Sequence, residues 1–407
     1  MSTPYLDPTW AEAHEAPATS WVVRSCLALF ALALAMDASI GTLLGAGGQQ
    51  SLATSAAFAA PLVLPGVWHL VTGGPVRRMP APFLALAAFV AWCALSILWA
   101  KHGSVLVSIT TLVQLLAFVW LGYQLVRSKR DLRAMLVGYL LGCQVLVVLT
   151  WRNYLNDVFI HWERFAADGF DPNDMAIYLA LGIPMATYLA LSGSPDRHAR
   201  MLWLLYLPMA ASGVVLAGSR TGTLATGMVT SAVVLWLTRR SATASALTLM
   251  LLLAGVVVGV QTVPSESFDR IFSVGGEFGG SMGDRAVIWR AGIGVLSNHP
   301  LRGVGVGGFG DASNLYVHDV AHNTPLSIAV ELGLVGLVLF FGAFALALWG
   351  VRFSGRNEKA LVWCLFLTCF IGIQSLTWEN RKPMWLLMLI AIVAAGIRPR
   401  PDAAEQE

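Results

Sequence analysis

Apolar runs of roughly 20 residues, cut apart by short interruptions of charge, glycine or proline, recur along the whole chain and leave few folds open to it. They fall near residues 21–42, 51–72, 82–100, 104–126, 132–151, 174–192, 201–217, 221–238, 242–263, 324–349, 359–376 and 383–397. Lipid offers no partner to backbone N–H and C=O groups, so a segment that crosses it must satisfy them internally as a helix. Composition agrees: 57% of the residues are hydrophobic and 12% charged, and mean hydropathy is +0.68, whereas a soluble domain is about one quarter charged. The expected fold class is therefore an all-α integral membrane protein with about 12 transmembrane helices.

Lys and Arg mark the cytoplasmic side of short membrane loops. One set of alternate loops carries Arg77 and Arg78, then Arg127, Lys129, Arg130 and Arg133, then Arg197 and Arg200, Arg239 and Arg240, Arg352, Arg356 and Lys359, and finally Arg398 and Arg400. That face is read as cytoplasmic, with both termini on it. The expected organisation is a tail over 1–20, five spans over 21–151, a non-cytoplasmic loop at 152–173, spans six to nine over 174–263, a large loop at 264–323, three spans over 324–397 and a tail at 398–407. The first twenty residues contain no Lys or Arg, unlike the basic start of a cleaved signal peptide. Both tails read as disordered. The net charge of +3 is accounted for by the loop pattern, so nucleic acid is excluded as a partner and membrane lipid is expected. The five cysteines lie inside apolar runs and suggest packing rather than a disulfide framework.

Residues suited to chemistry gather on the non-cytoplasmic side. Arginine outnumbers lysine 22 to 4, and its planar fork grips phosphate oxygens in pairs where an ammonium cannot. Arg220, in "LAGSRTGTLA", stands at the start of a span, near the positive end of that helix dipole. In the long loop, "RAVIWRAGIGVLS" reads as a helix over about 285–297 capped by Asp284 and stopped by "NHP", with Arg285 and Trp289 on one face. The literal G-x-G-x-x-G at Gly305, Gly307 and Gly310 has no βαβ unit around it and is not a dinucleotide fingerprint. Its glycines suit a backbone nest or a close approach to a lipid headgroup. Asp171 and Asp174 read as helix capping, by Asp171 or Asn173, rather than as a metal pair.

"AHNTPLSIAVELGLVG" then sets His322 and Asn323 at the mouth of the tenth span. Asn323 or Thr324 is a natural cap and Pro325 a natural first-turn residue. An imidazole there is able to take a proton from an incoming hydroxyl. Glu331, two turns deeper, is an intramembrane carboxylate, a costly group expected to pair with an Arg or another polar group inside the bundle. Its position puts it on the far side of the helix from His322.

Taken together these residues resemble the O-antigen ligase family of bacterial lipopolysaccharide assembly, within a superfamily that also holds O-antigen polymerases and protein O-oligosaccharyltransferases. His322, Asn323, nine residues, Gly333 and Gly336 fit the ligases' H-N-x9-G-x-x-G pattern. "SRTG" at Arg220, "GDRAVIWRAG" and "HPLRGVGVGGFG" are similar to other parts of the shared domain, so the likeness covers 219–336. The resemblance implies a GT-C-like membrane glycosyltransferase of the bacterial inner membrane. Such an enzyme moves a glycan en bloc from undecaprenyl diphosphate to the lipid A-core oligosaccharide, on the periplasmic side, with inversion and with no metal or other cofactor. It implies catalytic roles for His322, Arg220 and Arg285; Arg290, Arg164, Asn323, Trp289 and Glu331 are carried as substrate-binding candidates. A polymerase or a protein O-oligosaccharyltransferase of the same superfamily, or a secondary transporter, is the alternative.

Overall fold

The computed structural model describes residues 19–43, 52–101, 105–160, 164–192, 197–238, 282–314 and 320–397, with isolated helical residues between 243 and 261. Residues 1–18 and 398–407 of the expected disordered tails lie outside the described residues, as do the Arg239 and Arg240 pair and residues 262–281 of the long loop; Ser20, at the end of the first tail, caps the first helix.

The first half is built from α1 (Trp21–Ala35), α2 (Asp37–Leu43), α3 (Leu52–Val71), α4 (Ala81–Leu95), α5 (Val105–Leu125), α6 (Lys129–Leu155) and α7 (Pro172–Ser192). The second half holds α8 (Arg197–Leu204), α9 (Tyr206–Leu216), α10 (Arg220–Thr238), α11 (Met282–Asn298), α12 (Phe309–Ala312), α13 (Thr324–Val351), α14 (Arg356–Gly372) and α15 (Lys382–Gly396). Every apolar run named above carries helix where it is described. Among the described residues six helices are long and apolar enough to cross a membrane unaided, namely α4 with its 3-10 extension to Leu98, α5, α6, α7, α10 and α13. The protein is thus an all-helical, multi-pass membrane protein. Several other runs are interrupted for visible reasons: α1 stops at Met36 before α2, α3 contains Pro61 and Pro65, and the helix divides between α8 and α9 at Leu205.

Lipid tails and protein interior are equally apolar, so small residues and polar pairs decide which helices touch. Gly138 and Gly142, one turn apart on α6, let α1 approach until a Cβ at either position would meet the backbone of Ala28 or Leu32. α7 and α15 form the middle of the bundle, with nearly every side chain buried. Ion pairs tie the helix ends. At one end Arg24 meets Asp131 at 3.0 Å and Lys129 meets Glu358 at 2.8 Å, close to the expected cytoplasmic arginines. At the other, Lys382 meets Asp37 at 3.0 Å and Arg381 meets Asp174 at 3.3 Å. His322, Arg220 and Arg285 belong to this second end.

Candidate active site

Helix α13 starts from a cap that is anchored on two sides. Asn323 Oδ1 accepts from the Leu326 N–H at 2.9 Å, as an N-cap does. Its Nδ2 donates to the Gln374 carbonyl at 3.2 Å, and the Thr324 N–H donates to the Ile373 carbonyl at 2.9 Å. The buried Thr324 hydroxyl donates to Leu376 O and accepts from the Trp378 N–H, both at 2.8 Å. His322, just outside the cap, has φ +46°, a left-handed backbone that few side chains adopt.

The same α14–α15 connection holds the start of α10. Ser375 Oγ donates to Thr221 Oγ1 at 2.6 Å, and Ser219 caps α10 by accepting from the Gly222 N–H at 3.1 Å. Arg220 therefore stands one residue from a side chain bonded to the segment that anchors Asn323. Helix α11 arrives from a third direction. Trp289 Nε1 donates to the Ala321 carbonyl at 3.0 Å, and Ile288 packs with Phe309, Ala321 and Val330 in a small core of its own. One turn before Trp289, burial lowers the pKa of Arg285; Asp171 opposes that shift and Arg220 adds to it. Arg285 therefore lies within electrostatic reach of Arg220, one turn before the Trp289 that bonds to the residue preceding His322. Helix α11 begins at Met282, earlier than expected, so Asp284 lies inside its first turn rather than capping it.

Helix α13 is not the continuous span that hydropathy suggests. At Gly333, φ is +68° and ψ −171°, and the chain leaves the helix for one residue. The backbone groups released by that break are taken up by the stretch from Pro300 to Gly305. Val304 and Gly305 donate to the carbonyls of Val330 and Glu331 at 3.0 and 2.7 Å, and Leu334 N–H donates to Pro300 O at 2.9 Å. Trp92 Nε1 completes the set on Leu332 O at 3.0 Å. Non-helical backbone at membrane depth persists only where protein supplies such partners.

The glycine-rich turn is indeed a nest, and its occupant is internal. Glu331 Oε2 accepts from the Gly307 N–H at 2.8 Å and Oε1 from the Phe309 N–H at 3.2 Å. The polar partner expected for this carboxylate is thus a pair of backbone amides rather than an Arg. Beside it lies a cavity of about 540 Å³, walled by the glycine-rich turn, Val320 and Ala321, α5 and the segment Thr377–Asn380. Glu379 lines it too, with Oε1 accepting from Ser327 Oγ at 2.9 Å. Burial pushes the Glu379 carboxyl above the ordinary carboxylate range, against the pull of its own backbone, Ser327 and Arg381.

This arrangement sets two cations, a histidine mouth and an acidic cavity along one end of the bundle. Residues 205–341, which run from the start of α9 into α13, match the family described as O-antigen ligase. That segment is similar to the O-antigen ligase family. The chain is also similar to the exopolysaccharide production protein ExoQ of Rhizobium meliloti (strain 1021), 27% identical over 331 residues that cover 73% of this chain and 74% of that one.

The O-antigen ligase segment carries Arg220, Arg285, Trp289, His322, Asn323 and Glu331, which the structure gathers at one end. Arg290 is not brought to them; it lies on the exposed side of α11 beside Val287 and Ile293. Arg164 precedes the segment, is buried, and donates to Asn173 Oδ1 at 3.1 Å at the start of α7. Asp171 caps α7 by accepting from the N–H groups of Asn173 and Asp174. Sequence reasoning passed over Glu379, Thr377 and Arg381, which lie beyond the ligase segment. Arg381, half-exposed, is a link between helix ends: desolvation works to lower its pKa, yet Asp174, Tyr178, Asp37 and Asp171 outweigh that and hold it raised. The one signal for these residues was three charged groups, Glu379, Arg381 and Lys382, within four positions between two apolar runs.

Proposed function

We propose that this protein is an O-antigen ligase, transferring a whole glycan from undecaprenyl diphosphate to the lipid A-core oligosaccharide at the periplasmic face of the bacterial inner membrane. In this reading the chain has twelve spans, both termini are cytoplasmic, and loops 152–173 and 264–323 are periplasmic. The observation that carries it is that α11, which bears Arg285, is tied through Trp289 to the Ala321 carbonyl, while the start of α10, which bears Arg220, is tied through Thr221 to the α14–α15 connection that anchors Asn323. Two arginines at one rim suit a diphosphate, whose oxygens each guanidinium can grip in pairs.

The acceptor hydroxyl oxygen attacks the anomeric carbon as the bond from that carbon to the diphosphate oxygen breaks, inverting the centre. His322 takes the hydroxyl proton, a role worth about 10²–10⁴ in rate. Negative charge builds on the departing diphosphate, and Arg220 and Arg285 stabilise it. Trp289 and Asn323 orient the two walls of this mouth. No metal enters the scheme, so transfer is expected to persist in a chelator.

Deleting the gene from a strain with long O-antigen is expected to remove the ladder of capped lipopolysaccharide while lipid-linked polymer remains. A full ladder in the deletion strain overturns the proposal. The likeness to an exopolysaccharide production protein favours a second reading, polymerisation of a lipid-linked glycan by the same chemistry. Under it the deletion strain retains single-repeat caps or loses a secreted polymer.

A further inference from the structure

The scheme above uses the cations and the histidine and leaves the acidic cavity with nothing to do. Its contents are nevertheless unusual for an interior. Glu379 is 9% exposed and its Oε2 is buried with no hydrogen-bond partner among the described residues, and the Thr377 hydroxyl on the same wall is in the same state. Buried polar atoms left unpaired cost free energy unless something fills them. Glu331, Asp311 and Asn380 add polar groups, Phe309 and Leu112 add apolar surface, and among the described residues no Lys or Arg lines the space.

We propose that this cavity is a subsite for an uncharged pyranose ring, one of whose hydroxyls donates to Glu379 Oε2 while another pairs with the Thr377 hydroxyl. The volume of 540 Å³ lies within the range of small-molecule sites, about 300–1,000 Å³, and far exceeds what an ion needs. Carboxylates without a lining cation accept from sugar hydroxyls and repel carboxylated or phosphorylated sugars. Val320 and Ala321 are shared between the cavity wall and the approach to His322, so a ring bound here lies beside the base. The division of labour is then spatial: arginines for the diphosphate, carboxylates for the sugar. This rests on the glycan-transfer reading for its biological meaning, and the ring belongs either to the acceptor or to the first sugar of the donor.

The test uses the full-length protein in lipid nanodiscs. Saturation-transfer NMR is expected to detect methyl β-D-glucopyranoside and to give at least about tenfold less signal for its glucuronate counterpart. Glu379→Gln is expected to weaken the neutral probe about tenfold. Thr377→Val, nearly isosteric and breaking no internal hydrogen bond, repeats the test if Glu379→Gln fails to fold. In the transfer assay these variants raise one KM with little change in kcat. A raised acceptor KM assigns the ring to the acceptor, and a raised donor KM to the donor. No signal for the neutral probe, equal signal for both probes, or variants that bind and transfer like wild type overturn the subsite. Because binding is read without turnover, a deletion strain with an intact glycan profile would remove the proposed function and leave this result standing.

Discussion

At His322 the backbone and the side chain make separate demands. The left-handed φ of +46° strains an alanine as it strains the histidine, whereas asparagine visits that region more readily. His322→Asn is therefore the cleaner probe of chemistry. It is expected to keep the wild-type thermal midpoint and lose transfer by about 100-fold or more; an Asn variant with full activity ends the general-base role. Glu379 makes a pH prediction. Its carboxyl is held above the ordinary range by burial, with Ser327 and Arg381 opposing and Glu331 across the same cavity. The folded state thus binds that proton more tightly than the unfolded chain. Its contribution is full below the unfolded pKa, about 4.3, and is lost as pH rises through the folded value. Thermal midpoints measured upward from about pH 5 should fall less steeply in Glu379→Gln than in wild type; parallel curves would count against the raised carboxyl. The Asn323 cap was legible because capping depends on residue type and spacing. The partner of Glu331 was not, because a nest is made by backbone amides that any residue could present.

At the level of elements, the break in α13 makes two glycines of one helix behave oppositely. A Cβ on Gly333 would run into the Leu301 carbonyl and the Arg302 amide, at a φ that disfavours any L side chain, whereas a Cβ on Gly342 meets nothing. Gly333→Ala is expected to lower the thermal midpoint sharply or prevent accumulation, since the left-handed region alone costs about 1–2 kcal/mol. Gly342→Ala should leave it unchanged. Equal midpoints for the two variants would show that the break is not needed. Hydropathy ran smoothly across this point because Leu332 and Leu334 are as apolar as their neighbours. The H-N-x9-G-x-x-G spacing did contain it: nine residues are the length of the first half-helix, and the glycine that follows is the break. The partner of the stretch 299–309 stayed hidden for the complementary reason. Its glycines announce turns and close approach without naming the helix they approach.

For the whole molecule, the helical class and the order of apolar runs were plain from composition and periodicity, while the identity of the central helices was not. Apolar residues face lipid and protein alike, so the burial of α7 and α15 emerges only from packing. Orientation can be tested directly. With an impermeant maleimide on intact spheroplasts, a cysteine at exposed Asn156 should label, and one at exposed Arg78 only after permeabilisation. The reverse pattern would invert the topology. The nest around Glu331 also bears on biogenesis. Ribosomes deliver Gly307 and Phe309 before Glu331, so the amides wait for a carboxylate that arrives some two dozen residues later. Until α13 has left the translocation machinery, the turn has no anion to close on. A nascent chain halted before that helix would be inserted with the nest still empty, and maturation of this protein would coincide with the threading of about its final fifth.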